Sequence, residues 1–167
     1  LGLPYPGGPN ISKAALDGDD QKYDFPKANL GKDSLEYSFS GLKTAVLRQV
    51  QEIVGDQPGL SDLRKTYQLP PQAVSDIAAS FERTVVETLV EKLVRASERH
   101  APKSVAIGGG VSANKRLRET VLNSLPQSRI IPFEYCTDNA AMIGALAYQM
   151  AQRGHIAESL TLEADSS

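Results

Sequence analysis

The sequence predicts an α/β protein with parallel strand pairing, and three observations carry that prediction. Two short apolar runs, at residues 104–107 and 129–133, alternate with helical patterns over about 112–125 and 137–153. Three glycines, 108–110, stand between the first run and its helix. A long amphipathic pattern over about 71–100 precedes them. Strands separated by helices pair in parallel through right-handed crossovers.

The elements follow in chain order. Residues 4–10, PYPGGPN, read as a Pro- and Gly-rich loop, with a short helix at about 9–17. Leu1 and Leu3 suit the end of a helix, as if the chain continued something longer. Residues 17–34 are polar and punctuated, hence irregular. Leu35, Tyr37 and Phe39 alternate like a strand. Leu42, Val46, Val50, Ile53 and Val54 then recur at helical spacing, with Ser40 placed as N-cap and Gly55 as C-cap. Pro70 and Pro71 open the long helix, whose stripe runs through Val74, Ile77, Phe81, Val85, Leu89, Leu93 and Val94. Val86 and Val90 widen it, which predicts cover over much of the circumference. The second late strand ends near Pro132, and Gly154 stops the last helix. Residues 1–157 read as one α/β domain and 158–167 as a flexible tail.

Composition bounds the function. A chain of 167 residues is about one domain. Its 41% hydrophobic content suits a globular class. Eighteen basic against 20 acidic residues leave a net charge of −2, without the basic excess of a sequence-independent nucleic-acid binder. No apolar run approaches the ~20 residues that span a membrane. The opening LGLPYPGG lacks the basic and apolar regions of a signal peptide. The single cysteine, Cys136, excludes an intrachain disulfide and fits a reducing cytoplasm.

Open α/β sheets take ligands at the carboxyl ends of their strands. Two segments fall there: 108-GGGVSAN-114 and 135-YCTDN-139. Glycines let backbone approach a ligand, and the following helix start offers free N–H groups. Asn114 supplies a donor and an acceptor suited to an adenine edge or ribose hydroxyls. A Gly-rich strand-to-helix turn is equally a common structural device, and this one is neither G-x-G-x-x-G nor a P-loop. Asp138 reads as a helix cap or as a metal ligand. His100 and His155 read as surface residues and Cys136 as a packing residue. Lys115, Arg116 and Arg118, like Lys43 and Arg48, read as solvated helix faces or as phosphate contacts. With no H-E-x-x-H, Cys/His cluster or G-x-S-x-G, protease and hydrolase readings have no support within the chain.

Five segments in order, 3-LPYPGGP-9, 37-YSFSGLKTAV-46, 76-DIAASFERTVVETL-89, 107-IGGGVSANKRLR-118 and 136-CTDNAAMIG-144, resemble the C-terminal half of the tRNA N6-adenosine threonylcarbamoyltransferase family, once labelled O-sialoglycoprotein endopeptidase or glycoprotease. The resemblance implies part of an actin-like ATPase fold, of sugar-kinase and Hsp70 type, whose ribonuclease-H-like lobe lacks its first strands here. It also implies a reaction. Threonylcarbamoyl passes from threonylcarbamoyl-AMP to N6 of the adenosine 3′ of the anticodon, in tRNAs reading codons that start with A.

By the resemblance, Gly8 matches a substrate-binding glycine, Asn114 the nucleotide-contacting asparagine, Gly109 and Gly110 the glycines at the nucleotide, and Asp138 a metal-ligating aspartate. Where some relatives carry a substrate-contacting Asp, four residues after the matched glycine, this chain has Ser12. The implied cofactors are one divalent metal, iron or zinc, and threonylcarbamoyl-AMP or ATP as the bound nucleotide. The family's H-x-x-x-H pair does not occur in this sequence. The implied partners are tRNA, other subunits of the threonylcarbamoyladenosine-forming complex and an N-terminal half of the same protein, with no membrane. The expectation is a cytoplasmic enzyme half, inactive alone, with apolar surface exposed where the missing strands belong. The alternative is a non-catalytic truncated paralogue that binds a complete family member. Another ATPase of the superfamily, such as a carbohydrate kinase, fits C-T-D-N and Y-S-F-S-G-L-K-T less well.

Overall fold

The helix predicted from Pro70–Pro71 is the spine of the molecule. In the computed structural model, which describes residues 1–28, 30–31, 33–55 and 68–155, the elements run α1 (Gly7–Ala15), α2 (Ser40–Val54), α3 (Pro71–His100), β1 (Ala106–Ile107), a 3-10 turn (Gly110–Ala113), α4 (Lys115–Ser124), β2 (Arg129–Ile130), a second 3-10 turn (Phe133–Tyr135) and α5 (Ala140–Gln152). Pro71 occupies the first position of α3, where its missing N–H costs nothing. Ala101 leaves the helix in a left-handed conformation, and Pro102 forbids continuation.

Two apolar clusters form along α3. Ile77 packs with Phe25 and with Leu42 and Val50 of α2. Val86 and Val90 pack with Leu117 and Val121 of α4, and Ile107 of β1 joins them. The predicted stripe and its widening are thus both used, each side by a different neighbour.

A third side of α3 is polar and buried. Asp76 accepts from the backbone N–H of Asp19 (2.9 Å) and from Gln72 Nε2 (2.8 Å). Ser80 Oγ accepts from the N–H of Tyr23 (3.2 Å), and Arg83 Nη2 donates to the Tyr23 carbonyl (3.1 Å). These bonds fasten the irregular segment after α1 to the spine. Gly18 makes the approach possible, because a Cβ there would lie 2.0 Å from the Ser75 carbonyl oxygen.

The sheet is the predicted parallel pair, with Ala106 opposite Arg129 and Ile107 opposite Ile130. Both strands are shorter than the apolar runs predict. Flanking bonds from Arg129 N–H to the Val105 carbonyl (2.7 Å) and from Ile131 N–H to the Ile107 carbonyl (3.1 Å) close the ladder. Pro132 has no N–H to extend it.

Several expectations are corrected. Residues 35–39 form no strand: alternation needs a paired neighbour, and these residues have no ladder, with Tyr37 and Phe39 stacked at 6.4 Å. Ser40 is the first helical residue of α2, not its N-cap, whereas Gly55 is the left-handed C-cap as expected. Leu1 packs against the Phe25 cluster and residues 1–4 are not helical. The helix expected from residue 112 begins at Lys115, behind the 3-10 turn. The connection 56–67 and the tail expected at 158–167 lie outside the described residues.

Apolar surface is exposed at α5. Ile143, Leu146 and Tyr148 are 61%, 59% and 62% exposed, and no residue of this apolar helix is buried. Among the described residues, no helix is long and apolar enough to cross a membrane.

Candidate functional site

The chain leaves β1 through Gly108 and reverses at Gly109, whose φ of 83° and ψ of 171° fall in a region essentially reserved for glycine. The hydroxyl of Ser112 locks the turn by donating to the Gly109 carbonyl (2.7 Å). Asn114 then caps α4: its Oδ1 accepts from the Leu117 N–H at 2.8 Å.

The basic residues that follow are structural, which corrects the solvated-face and phosphate-contact readings for two of them. Arg118 Nη2 donates to the Ile131 carbonyl (3.0 Å), and its Nε donates to the Ser112 carbonyl, tying the turn to the end of β2. Arg116 pairs with Asp20 and holds that carboxyl below its ordinary range. Lys115, Lys43 and Arg48 are exposed, and Lys115, the first residue of α4, also lines the cavity at the end of β1, so its phosphate-contact reading stays open.

At the carboxyl end of β1 the turn borders a cavity of about 640 Å³, within the size range of small-molecule sites. Ile11, Val85, Val86, Leu89, Val111 and Phe133 make most of its wall. Gly8, in the first turn of α1, and Gly110 line it too, and a Cβ at either would meet no atom within 4 Å. Two helix starts, those of α1 and α4, therefore border one space with their partial positive charge.

One polar cluster interrupts the apolar wall. Glu82 Oε1 accepts from Ser12 Oγ (2.6 Å) and from Asn114 Nδ2 (2.6 Å), and Asn114 Nδ2 also donates to Ser12 Oγ (3.0 Å). Asn114 thereby uses both amide hydrogens and one lone pair of Oδ1, which leaves one acceptor position for a ligand. Sequence reasoning missed Glu82. The available signal is its place on the helical face of Ala78, Val85, Val86 and Leu89, as one carboxylate among apolar residues.

Of the five candidate residues, Gly8, Gly110 and Asn114 line the cavity, and Gly109 shapes its turn without lining it. Asp138 lies elsewhere, exposed in the connection before α5. It is not the cap of that helix: Asn139, in extended backbone conformation, caps α5 by accepting from Met142 N–H at 3.0 Å. Cys136 is buried beside Ser112 Oγ (3.2 Å), in keeping with a packing role. Among the described residues, no three His, Cys, Asp or Glu side chains gather where they could hold a metal.

Fold and cavity together define an α/β protein with a glycine-edged candidate ligand site where its parallel strands end. The sequence matches the profile of the tRNA N6-adenosine threonylcarbamoyltransferase family, TsaD, over residues 1–145. It is 46% identical over 156 residues to a protein of that name from Prochlorococcus marinus (strain MIT 9312), covering 88% of this chain and 40% of that protein. To the one from Caldicellulosiruptor saccharolyticus it is 44% identical over 152 residues, covering 89% and 41%. To that from Thermosipho africanus it is 40% identical over 168 residues, covering 98% and 46%. The chain belongs to the tRNA N6-adenosine threonylcarbamoyltransferase family. It spans about 40% of the length of these curated relatives.

Proposed function

We propose that this chain supplies the nucleotide-holding part of a threonylcarbamoyltransferase acting on tRNA. The observation that carries the reading is the convergence of Gly8, Gly110 and Asn114 on one cavity at the end of β1. The nucleotide is threonylcarbamoyl-AMP, or ATP in its place. In the reaction, N6 of the tRNA adenosine attacks the carbamoyl carbon. The new C–N bond forms as the bond to the AMP phosphate oxygen breaks. The part of this chain is to position the nucleotide, with the spare acceptor of Asn114 for an amino or hydroxyl donor and the helix starts for the phosphate. The full architecture is the actin-like ATPase fold, of which these residues are the C-terminal lobe.

Asp138 is proposed as one metal ligand in the complete enzyme. Among the described residues no three His, Cys, Asp or Glu side chains gather around it, so no step is assigned to a metal. The uncovered apolar face of α5 supports a partner: the N-terminal half that the longer relatives contain, with tRNA and the other subunits of the complex joining that assembly. The same face supports the second reading, a non-catalytic chain docked on a complete family member.

The test is calorimetric titration of the chain with ATP and with threonylcarbamoyl-AMP, beside a transfer assay on tRNA. The expected results are saturable nucleotide binding, its loss in Asn114→Ala, and no transfer by the chain alone. A chain that binds neither nucleotide overturns the site. Transfer by the chain alone overturns the reading that further protein is needed.

A further inference from the structure

Oε2 of Glu82 meets no donor among the described residues, while Oε1 takes both Ser12 and Asn114. A half-buried carboxylate thus lines a mainly apolar cavity that also holds Ser12, Asn114 and the cation Lys115, with one of its oxygens held by the protein and the other without a donor. A carboxylate only accepts hydrogen bonds, so it matches hydroxyl or amino donors and repels phosphate. Of the parts of a nucleotide, the vicinal ribose hydroxyls suit it best, because both can donate and they stand side by side where one carboxylate oxygen can reach them. Phosphates are then driven toward the opposite attraction, the helix starts at Gly8 and Asn114.

We propose that Glu82 is a specificity-determining residue that reads the ribose of the bound nucleotide and sets its direction in the cavity. The inference rests on the nucleotide reading above and names a residue which that reading does not require. Ser12 and the Nδ2 of Asn114 position Glu82: their two bonds to Oε1 hold the carboxylate and leave Oε2 for the ligand.

The experiment is equilibrium binding of ATP and of 2′,3′-dideoxy-ATP to the full chain, its Glu82→Ala variant and its Glu82→Gln variant, with folding checked by thermal melting. The native chain is expected to prefer ATP by about tenfold or more, the scale of hydrogen bonds to a charged group. In Glu82→Ala the preference is expected to collapse toward unity through weaker ATP binding, with dideoxy-ATP bound no more weakly than before. Glu82→Gln, which keeps shape and removes charge, is expected to lose part of the preference, and it decides the matter if Glu82→Ala does not fold. A preference unchanged in the folded variants, or no preference in the native chain, overturns the role of Glu82 and leaves the nucleotide site standing. No binding of either nucleotide by the native chain overturns both.

Discussion

Replacing Asn114 separates its structural work from its placement at the cavity. Its Oδ1 caps α4 through the Leu117 N–H, and losing such a cap costs about 1 kcal/mol. Its Nδ2 bonds the Glu82 carboxylate at 2.6 Å. A hydrogen bond to a charged group contributes about 1.5–3 kcal/mol when well buried, and the partial exposure of this pair reduces that to about 1 kcal/mol. Asn114→Ala is therefore expected to lose about 2 kcal/mol, or roughly 4–8 °C in Tm for a chain of this size. Asn114→Ser retains a capping oxygen but cannot reach Glu82, so it should lose about half as much. Asn114→Asp caps equally well yet sets a second carboxylate against Glu82. Like-charge repulsion should make Asn114→Asp less stable than Asn114→Ser at neutral pH, and the difference should shrink in acid, where carboxylates take up protons. Thermal melts of the three variants across pH are the assay. Equal Tm values for Asn114→Ala and Asn114→Ser would refute the division between cap and carboxylate bond.

The remaining predictions concern the supports of the site. Gly109→Ala places a side chain at φ 83° and ψ 171°; it should cost about 1–3 kcal/mol in a denaturant melt and weaken nucleotide binding by displacing Gly110. In Gly18→Ala the new methyl meets the Ser75 carbonyl carbon at 2.4 Å as well as its oxygen. The loop must lift from α3, and hydrogen exchange should show lost protection at the Asp19 and Tyr23 amides. Asp76 is held below its ordinary value of 3.8 by the Asp19 N–H and then by Gln72. Its contribution to stability is complete above that value and is lost as pH falls toward the depressed folded one, so Asp76→Asn should flatten the acid limb of the stability curve.

Elements built from local chemistry were legible in the residues. The long helix α3 is legible over about 71–100 because the opening prolines and the apolar periodicity both act within a few residues. The Gly55 cap and the parallel order of β1 and β2 were read for similar reasons. Residues 35–39 misled because alternation states which faces differ, not whether a partner strand exists. At 137–139 the sequence points to Asp138 as the cap of α5, and Asn139 takes that place because the backbone path decides which side chain reaches the first free N–H groups.

The cavity divides along the same line. The motif order points to this family, and by that resemblance to Gly8, Gly109, Gly110, Asn114 and Asp138 as candidate ligand residues, of which Gly8, Gly110 and Asn114 line one cavity. Their meeting required packing across the chain: Ser12 reaches Asn114 over 102 positions and Glu82 reaches it over 32. No local pattern encodes those separations, since Glu82 read along the sequence is one more charged helical residue. Its carboxylate became part of the site only when α1 and α4 closed on either side of α3, because a hydrogen bond exists only where three-dimensional packing brings donor and acceptor within reach.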